Sequence, residues 1–368
     1  MSVNYGIVGS GYFGAAEARV LHEIPGANVV GIYDPHNAER LAQEVGAEVF
    51  ASMEELVNDE RIDAIIVASP NGEHVAPVLA AAKAGKAIFC EKPIALSYRD
   101  CKLMVDTAKE SGVFFMAGHV MNFMNGVRLA KQIIAEGKLG KVLFVRSVRN
   151  GWEGIQPSVS WKKIRELSGG HLYHHIHELD CVQSILGPAA KATMIGGNVA
   201  HRGEGFGDED DMLLIQLEFS SGAFATLEYG SAFRWPEHYV LIQGEKGAIK
   251  IDMQQTGVTV RIGGSEERHL LHRNQAEDDQ RTEIYANSST DGAVQYGDPD
   301  KIPPLWLNGI VEEELNYFHG LMQGEPVLAE FAKLSDGTAA MEAIATADAC
   351  TLSLKEDRKV NISEITGE

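Results

Sequence analysis

The stretch Gly9-Ser-Gly-Tyr-Phe-Gly14 decides the fold, because it follows a short apolar run at residues 5–8 and opens an alanine-rich segment at residues 15–21. This order predicts a buried strand, a tight turn and a helix. One glycine permits the turn, one lets the backbone approach a pyrophosphate, and one lets the helix pack closely on the strand. The helix N-terminus offers unpaired N–H groups to an anion. The residues expected to bind a dinucleotide here are Gly9, Gly11, Tyr12, Phe13 and Gly14.

An acidic residue favours NAD over NADP as the cofactor. Asp34 ends the second apolar run, where its carboxylate can accept both ribose hydroxyls of the adenosine half and would repel a 2'-phosphate. The alternative is that the glycines only make a turn and that Asp34 caps the following helix.

Outside this motif, short apolar runs alternate with helical stretches over the first third of the chain. The runs lie at residues 5–8, 29–33, 63–68, 87–90 and 113–116. Runs this short and apolar are typical of strands buried on both faces of a parallel sheet. Ser52 and Ser97 are placed to cap helices between them. We therefore expect an α/β fold in which residues 1–121 form a doubly wound Rossmann domain that binds NAD.

The pattern changes after about residue 120, where strands follow one another through tight turns. Residues 212–219 and 223–229 predict a hairpin, so residues 122–368 are expected to form a second α/β domain with a mainly antiparallel sheet. Residues 264–305 are polar and predict a long loop. One face of the antiparallel sheet needs cover, which predicts a homodimer or homotetramer.

Composition argues against several classes of protein. The 52 acidic residues against 32 basic ones give a formal net charge of -20, which repels nucleic acid and anionic lipid. Four scattered cysteines form no C-x-x-C pair, which disfavours a disulfide framework or zinc ribbon and fits a cytoplasmic protein. No apolar run is long enough to predict a membrane span. The expected partner is a small molecule.

A second motif, Glu91-Lys92-Pro93, ends the apolar run at residues 87–90. Together with the glycine motif, the stretch Ala68-Ser-Pro-Asn71 and the segment from Gly169 to Asp180, it resembles the Gfo/Idh/MocA family of NAD(P)-dependent oxidoreductases. The resemblance extends over nearly the whole chain. It implies a Rossmann domain followed by an α/β domain whose large open sheet binds substrate or assembles oligomers. The residues that it implies at the nicotinamide end are Ser69, Asn71, His74, Glu91 and Lys92.

Two residues are expected to carry the chemistry. Lys92 stands at the carboxyl end of a parallel strand, where doubly wound sheets bind ligands, and a lysine there can stabilise a developing alkoxide. The resemblance implies that His177 is the general acid/base and Asp180 the acid that follows it. Many relatives carry an aspartate where this chain has Tyr173, so Tyr173 or His174, on the same face of a predicted helix as His177, could assist it. The alternative is a structural histidine cluster.

The substrate is expected to be a neutral, hydroxyl-rich molecule, because relatives often have an arginine near Asn122 and this chain does not. Trp161 and Trp235 could offer apolar faces to a sugar ring, although they could equally belong to the core. The expected polar contacts to substrate are Lys92, His174 and His177. The histidines between residues 171 and 177 also suggest a metal, but no second ligand cluster is evident and no metal is expected.

These residues favour an NAD-dependent dehydrogenase that moves a hydride between the cofactor and a hydroxyl of a sugar, cyclitol or glucoside. A second hypothesis is glycoside cleavage with transient oxidation by bound NAD, which would show no net cofactor turnover. A third is a nucleotide-sensing regulatory protein, which needs the glycine motif but neither Lys92 nor His177.

Overall fold

A computed structural model describes residues 2–287 and 300–367, which form two compact units. The first unit contains residues 2–120, 300–303 and 310–341, and the second contains residues 121–287, 304–309 and 342–367. The sequence division at residue 121 assigned residues 310–341 to the second domain, whereas here they belong to the first unit. The reason is apolar packing: the Phe318 ring lies 6.4 Å from that of Tyr5 and 5.6 Å from that of Phe89.

The first unit is built on a six-stranded sheet in which every neighbouring pair is parallel, in the order β3-β2-β1-β4-β5-β6. This is the strand order of a Rossmann fold, and it confirms the predicted fold class of this part of the chain. Its strands are β1 Val3–Val8, β2 Ala27–Tyr33, β3 Glu48–Val49, β4 Ala64–Val67, β5 Ala87–Glu91 and β6 Phe115–Gly118. Its connecting helices are α1 Tyr12–Glu23, α2 Ala38–Val45, α3 Met53–Asn58, α4 Val75–Lys83 and α5 Tyr98–Glu110.

Local sequence signals fix these elements as expected. Strands β4 and β5 are buried at every residue, which matches their unbroken apolar runs. The Ser52 hydroxyl accepts a hydrogen bond from the Glu55 amide and begins α3, and the Ser97 hydroxyl accepts one from the Asp100 amide and begins α5. Both predicted caps are confirmed.

The second unit is built on a nine-stranded sheet in the order β14-β13-β12-β11-β7-β10-β9-β8-β15. Only β7 and β10 pair in parallel, so the prediction of a mainly antiparallel sheet is confirmed. The strands are β7 Val142–Trp152, β8 Ala189–Gly197, β9 Met212–Phe219, β10 Phe224–Gly230, β11 Ala232–Gly244, β12 Gly247–Asp252, β13 Gly257–Ile262, β14 Ser265–His269 and β15 Val360–Asn361. The helices from residue 121 onwards are α6 Asn125–Ala135, α7 Arg165–Ser168, α8 His171–His174, α9 His177–Leu186, α10 Gln275–Ala286, α11 Leu305–Met322, α12 Thr338–Glu356 and α13 Ser363–Thr366.

The prediction of a long loop at residues 264–305 is wrong over its first part. Strand β14 pairs with β13 and α10 follows it, while residues 288–299 lie outside the described residues. Strand β14 is charged because it is the edge strand of the sheet and faces water. Polar side chains also hold α10: Asn274 caps it by accepting a hydrogen bond from the Glu277 amide, and the Asp278 carboxylate accepts the amides of Leu271 and His272.

Across residues 2–287 and 300–367, none of the helices combines the length and the hydropathy that crossing a bilayer requires.

Candidate functional site

The glycine loop between β1 and α1 has the shape that a dinucleotide requires. Gly9 has a φ of +97°, and a Cβ there would lie 2.6 Å from the Ser69 amide nitrogen. A Cβ on Gly14 would lie 2.0 Å from the Gly9 carbonyl oxygen, so only glycine lets α1 approach the loop this closely. A Cβ on Gly11 would meet nothing within 4 Å. Gly11 therefore keeps the backbone open on the side from which a pyrophosphate would approach the N-terminus of α1.

Asp34 stands beside this loop and has two structural tasks there. Its Oδ2 accepts a hydrogen bond of 2.8 Å from the Ser10 amide, and its Oδ1 accepts those of His36 and Asn37 at 2.8 and 3.0 Å. Asp34 thus holds the turn that precedes α2, but it does not cap the helix itself, which begins at Ala38 after Asn37. Ribose binding remains open to Asp34, because its Oδ2 keeps one of two lone-pair sites; in this geometry it can accept one ribose hydroxyl rather than the two expected from the sequence.

A cavity of about 430 Å³ adjoins Asp34 and is lined by Ser10, His36 and Asn37 among others. Two arginines line it as well, but each already faces a carboxylate: Arg19 pairs with Glu44 at 2.6 Å, and Arg40 pairs with Asp300. These guanidinium groups are therefore charge-balanced, which disfavours a 2'-phosphate and fits the adenosine half of NAD.

Replacing Asp34 by alanine is expected to narrow the preference for NAD over NADP by about 10- to 100-fold in kcat/KM. A charge-assisted hydrogen bond of this kind contributes about 1.5–3 kcal/mol, and the repulsion of a 2'-phosphate is lost with it. Steady-state kinetics with both cofactors measure the change. Glu39→Ala, which removes an exposed carboxylate from the wall of the same cavity, is the control and should leave the ratio unchanged. A wild-type enzyme that is more efficient with NADP would contradict the assignment.

Strand β5 delivers Glu91 and Lys92 to the carboxyl end of the parallel sheet. Both residues are 9% exposed, and the Lys92 amide donates a hydrogen bond of 3.3 Å to the Glu91 Oε2. The Lys92-Pro93 peptide bond is cis. Lys92 thus stands where doubly wound sheets bind their ligands, as the sequence predicts.

His74 supports this turn rather than offering a ring nitrogen to a ligand. Its Nδ1 lies 3.0 Å from the Pro93 carbonyl oxygen and its Nε2 lies 2.7 Å from that of Ser69, so the imidazole joins the loops after β4 and β5. Burial lowers its pKa, with the carbonyls of Ser69 and Pro93 opposing and Lys92 reinforcing this effect. Of the other residues expected at the nicotinamide end, Asn71 is buried and Ser69 is half-buried.

The histidine segment of the second unit differs from the expected continuous helix. Helix α8 ends at His174, the backbone turns at His175 with φ -104° and ψ 40°, and α9 begins at His177. Tyr173, His174 and His177 therefore do not lie along one helical face, and the argument from i, i+3 and i, i+4 spacing is wrong. His177 occupies the first turn of α9 and is half-buried.

Tyr173 contacts a carboxylate from the end of the chain. Its hydroxyl donates a hydrogen bond of 2.5 Å to the Asp348 Oδ1 on α12. Burial, followed by the Asp348 charge, raises the pKa of Tyr173 well above its usual value. This geometry assigns Tyr173 to packing between α8 and α12, and it does not support the suggested assistance to His177.

The remaining histidines form a cluster in which the rings meet at tilted and edge-to-face angles. The ring of His175 lies 4.4 Å from that of His171 and 4.7 Å from that of His174. Burial, then Arg149 and the neighbouring histidines, lower the pKa of His175 well below its usual value, so its ring is neutral. Trp161 and His174 meet edge to face at 6.3 Å, which brings two of the predicted substrate residues together. In the described part of the chain, no three side chains are grouped so that they could hold a metal.

Trp235, the other predicted sugar-binding aromatic, has a different setting. It is 80% exposed and lies in the irregular beginning of β11, where the register against β7 is broken between Ala232 and Glu237. Its role in substrate binding stays a prediction.

The sequence did not predict that Lys131 belongs to the hydrogen-bonded group around Asp180. The Asn122 amide donates a hydrogen bond of 2.7 Å to the Asp180 Oδ2, and the Lys131 ammonium donates one of 2.6 Å to the Asn122 Oδ1. Asn122 and Asp180 are almost completely buried. A cation is therefore present beside Asn122, but it is a lysine rather than an arginine and comes from α6, nine residues further along the chain.

A second network was also missed, because its members are far apart in sequence. Glu178 is fully buried and lies 3.2 Å from Arg149 and 2.9 Å from the His238 Nε2, while the His238 Nδ1 lies 2.6 Å from the Tyr285 hydroxyl. Burial alone would raise the pKa of Glu178, but Arg149 and His238 lower it. This network fixes α9 against β7 and β11, and so positions His177.

Comparison with known proteins identifies both units. Residues 3–119 match the family model described as "Oxidoreductase family, NAD-binding Rossmann fold", and residues 131–362 match "Oxidoreductase family, C-terminal alpha/beta domain". The chain is 56% identical over 368 residues to a 2,7-anhydro-N-acetylneuraminate hydratase of Mediterraneibacter gnavus, covering 100% of this chain and 98% of that protein. It is 54% identical over 364 residues to the Escherichia coli K12 protein of the same name, covering 99% and 98%.

A solved structure supports the same fold. Levoglucosan dehydrogenase in complex with NADH aligns with a TM-score of 0.79 and 20% identity, covering 98% of this chain and 99% of that one. The predicted cofactor, NAD, is confirmed by the NAD-binding domain model. The chain belongs to the Gfo/Idh/MocA family of NAD-binding oxidoreductases.

Proposed function

We propose that this protein uses NAD to hydrate 2,7-anhydro-N-acetylneuraminate with no net oxidation or reduction. The observation that carries the proposal is the identity of 56% and 54% over nearly full length to two proteins that bear this hydratase name. It favours chemistry related to the second sequence hypothesis, glycoside cleavage with transient oxidation by bound NAD, over a simple dehydrogenase.

The chemistry of the substrate explains why a hydration needs a redox cofactor. Opening the C2–O7 bridge with water leaves the oxidation level of the sugar unchanged. When bound, NAD⁺ supplies a reversible hydride acceptor that turns the C4 hydroxyl into a ketone and later restores it. A ketone at C4 makes the C3 hydrogens acidic, so a C3 proton and the C2–O7 bond can be lost together by elimination. Water then adds at C2, C3 regains a proton, and the sum of the steps is the addition of one H₂O.

Lys92 and His177 fit the proton movements that this sequence requires. The Lys92 ammonium can stabilise negative charge on the C4 oxygen, both as the hydroxyl is oxidised and when the C3 proton leaves. A histidine titrates near neutral pH, so His177 can take and return a proton at C3 or at O7.

The proposed substrate is an anion, which departs from the neutral molecule expected from the sequence. That expectation rested on the missing arginine near Asn122. Lys131, at 2.6 Å from the Asn122 Oδ1, provides a positive charge in this region. The Asp180 carboxylate, hydrogen-bonded to the other end of the Asn122 amide, offsets that charge, so the proposal of an acidic substrate rests on the named relatives and not on this group.

A substrate panel tests the proposal. The protein is incubated with NAD and either 2,7-anhydro-N-acetylneuraminate, an inositol or a simple glucoside, while NADH absorbance and sugar products are followed. The expected result is that the anhydro sugar is converted to N-acetylneuraminate, while NADH does not accumulate in proportion to this product. Stoichiometric NADH from an inositol, with no conversion of the anhydro sugar, would support the dehydrogenase hypothesis instead.

We also propose that the protein is a homodimer or homotetramer. Helices α8 and α9 cover one face of the second sheet, while large apolar side chains on the strands remain exposed, including Phe224 at 55% and Ile195 at 57%. Sedimentation at micromolar concentration should give a species of at least twice 40.0 kDa, and a monomer alone would refute this expectation.

A further inference from the structure

Three buried glutamates lie together in the first unit, and the proposed chemistry uses none of them directly. Glu17 on α1 and Glu314 on α11 are each 1% exposed, and Glu91 at the end of β5 is 9% exposed. Carboxylates are almost never buried to this degree without a cation or a proton. The side chains of Glu17 and Glu91 are hydrogen-bonded to each other.

The space for this pair is built into the fold. Gly118 on β6 lies beside Glu91, and a Cβ there would come within 2.8 Å of the Glu91 Oε1. Gly14 brings α1 onto the loop after β1, which places Glu17, one turn further along, against the sheet. The glycine motif and the Glu91-Lys92 turn are thus joined by one contact between two acids.

Two carboxyl groups that share a hydrogen bond must hold a proton between them. Burial first, then the charges of Glu91 and Glu314, raise the pKa of Glu17 well above its usual value. Burial also raises the pKa of Glu91, but Lys92, the Glu17 hydrogen bond and His119 oppose the rise. Because the Glu91 Oε2 also accepts the Lys92 amide at 3.3 Å, the ionised form is favoured at Glu91 and the shared proton at Glu17. The other titratable neighbour is the Cys90 thiol, whose pKa burial and these two acids raise well above its usual value.

We propose that Glu17 is a positioning residue: as a neutral acid it donates a hydrogen bond to Glu91 and thereby keeps a single negative charge beside Lys92. This inference rests on the proposed role of Lys92. The charge favours the ammonium form of Lys92, which is the form that stabilises an oxyanion. The Lys92 amide contact to the Glu91 Oε2, at 3.3 Å, holds the carboxylate in place from the other side.

Two substitutions separate hydrogen-bond donation from simple packing. Glu17→Gln keeps a neutral donor of the same size, so the pH profile of turnover should match that of the wild type. Glu17→Leu keeps the volume but removes the donor, so Glu91 should lose its charge more easily and the acid limb of the profile should move up by about one to two pH units. Wild-type profiles in both variants, or equal losses of activity with no shift in either, would overturn the proposal.

An infrared measurement tests the proton itself without any turnover. At neutral pH the wild type should show the carbonyl stretch of a protonated carboxylic acid, and the difference spectrum between the wild type and Glu17→Gln should show the loss of one such band. In Glu17→Leu, the band of protonated Glu91 should appear on acidification about one to two pH units above its position in Glu17→Gln. If the wild type shows no such band, the inference fails. If the bands behave as expected but the anhydro sugar is not converted, the proposed function is wrong and the inference about the Glu17 proton still holds.

Discussion

Replacing Lys92 by alanine is expected to lower turnover about 10²–10⁴-fold with little change in the affinity for NAD. The loss follows from the position of Lys92 at the end of β5, where its ammonium is the charge that would face a developing oxyanion. The pyrophosphate and ribose contacts come instead from the glycine loop and Asp34, which the substitution does not touch. Steady-state turnover and equilibrium binding of NAD measure the two quantities separately.

Lys83→Ala is the matched control, because Lys83 is an exposed lysine in the last turn of α4. It should keep wild-type turnover. Thermal unfolding of both variants shows whether the fold is retained. Near-wild-type turnover in a folded Lys92→Ala protein would remove this residue from the chemistry.

Replacing His177 by alanine is expected to cost a similar factor, about 10²–10⁴-fold in turnover, because a general acid/base is lost. NAD affinity should again be little changed. His269→Ala, which alters a half-buried histidine on the edge strand β14, is the control and should behave like the wild type.

His174→Ala decides between the two candidate histidines. His174 ends α8 and contacts Trp161 and His175, so its loss should mainly weaken substrate binding and raise KM. If instead His174→Ala abolishes turnover and His177→Ala is nearly silent, proton transfer belongs to His174. Wild-type turnover in both variants would return the segment to a structural histidine cluster.

The Rossmann unit could be predicted because its signals are local. The apolar runs, the three glycines and the serine caps each act within a few residues of their own position, and the structure confirms them. The break between α8 and α9 has no such signal, since His175 is neither a glycine nor a proline. Residue spacing alone therefore predicted one continuous helix, and it wrongly placed Tyr173, His174 and His177 on one face of it.

The parts of the site that were missed depend on contacts between distant residues. Tyr173 meets Asp348, 175 positions later, and Asp180 meets Asn122, 58 positions earlier. Glu17 is an isolated acid in an alanine-rich helix, and nothing in the sequence predicts Glu91 as its partner. Such pairs are set by tertiary packing, which periodicity does not encode.

Hydration of 2,7-anhydro-N-acetylneuraminate in D₂O tests the central proposal most directly. If the C2–O7 bond opens by elimination from a transient C4 ketone, C3 must take a proton from the solvent, so the N-acetylneuraminate formed should carry deuterium at C3. The reaction should require NAD and leave its redox state unchanged. Product without deuterium at C3, formed equally well by NAD-free protein, would show direct hydrolysis and contradict the role of the cofactor.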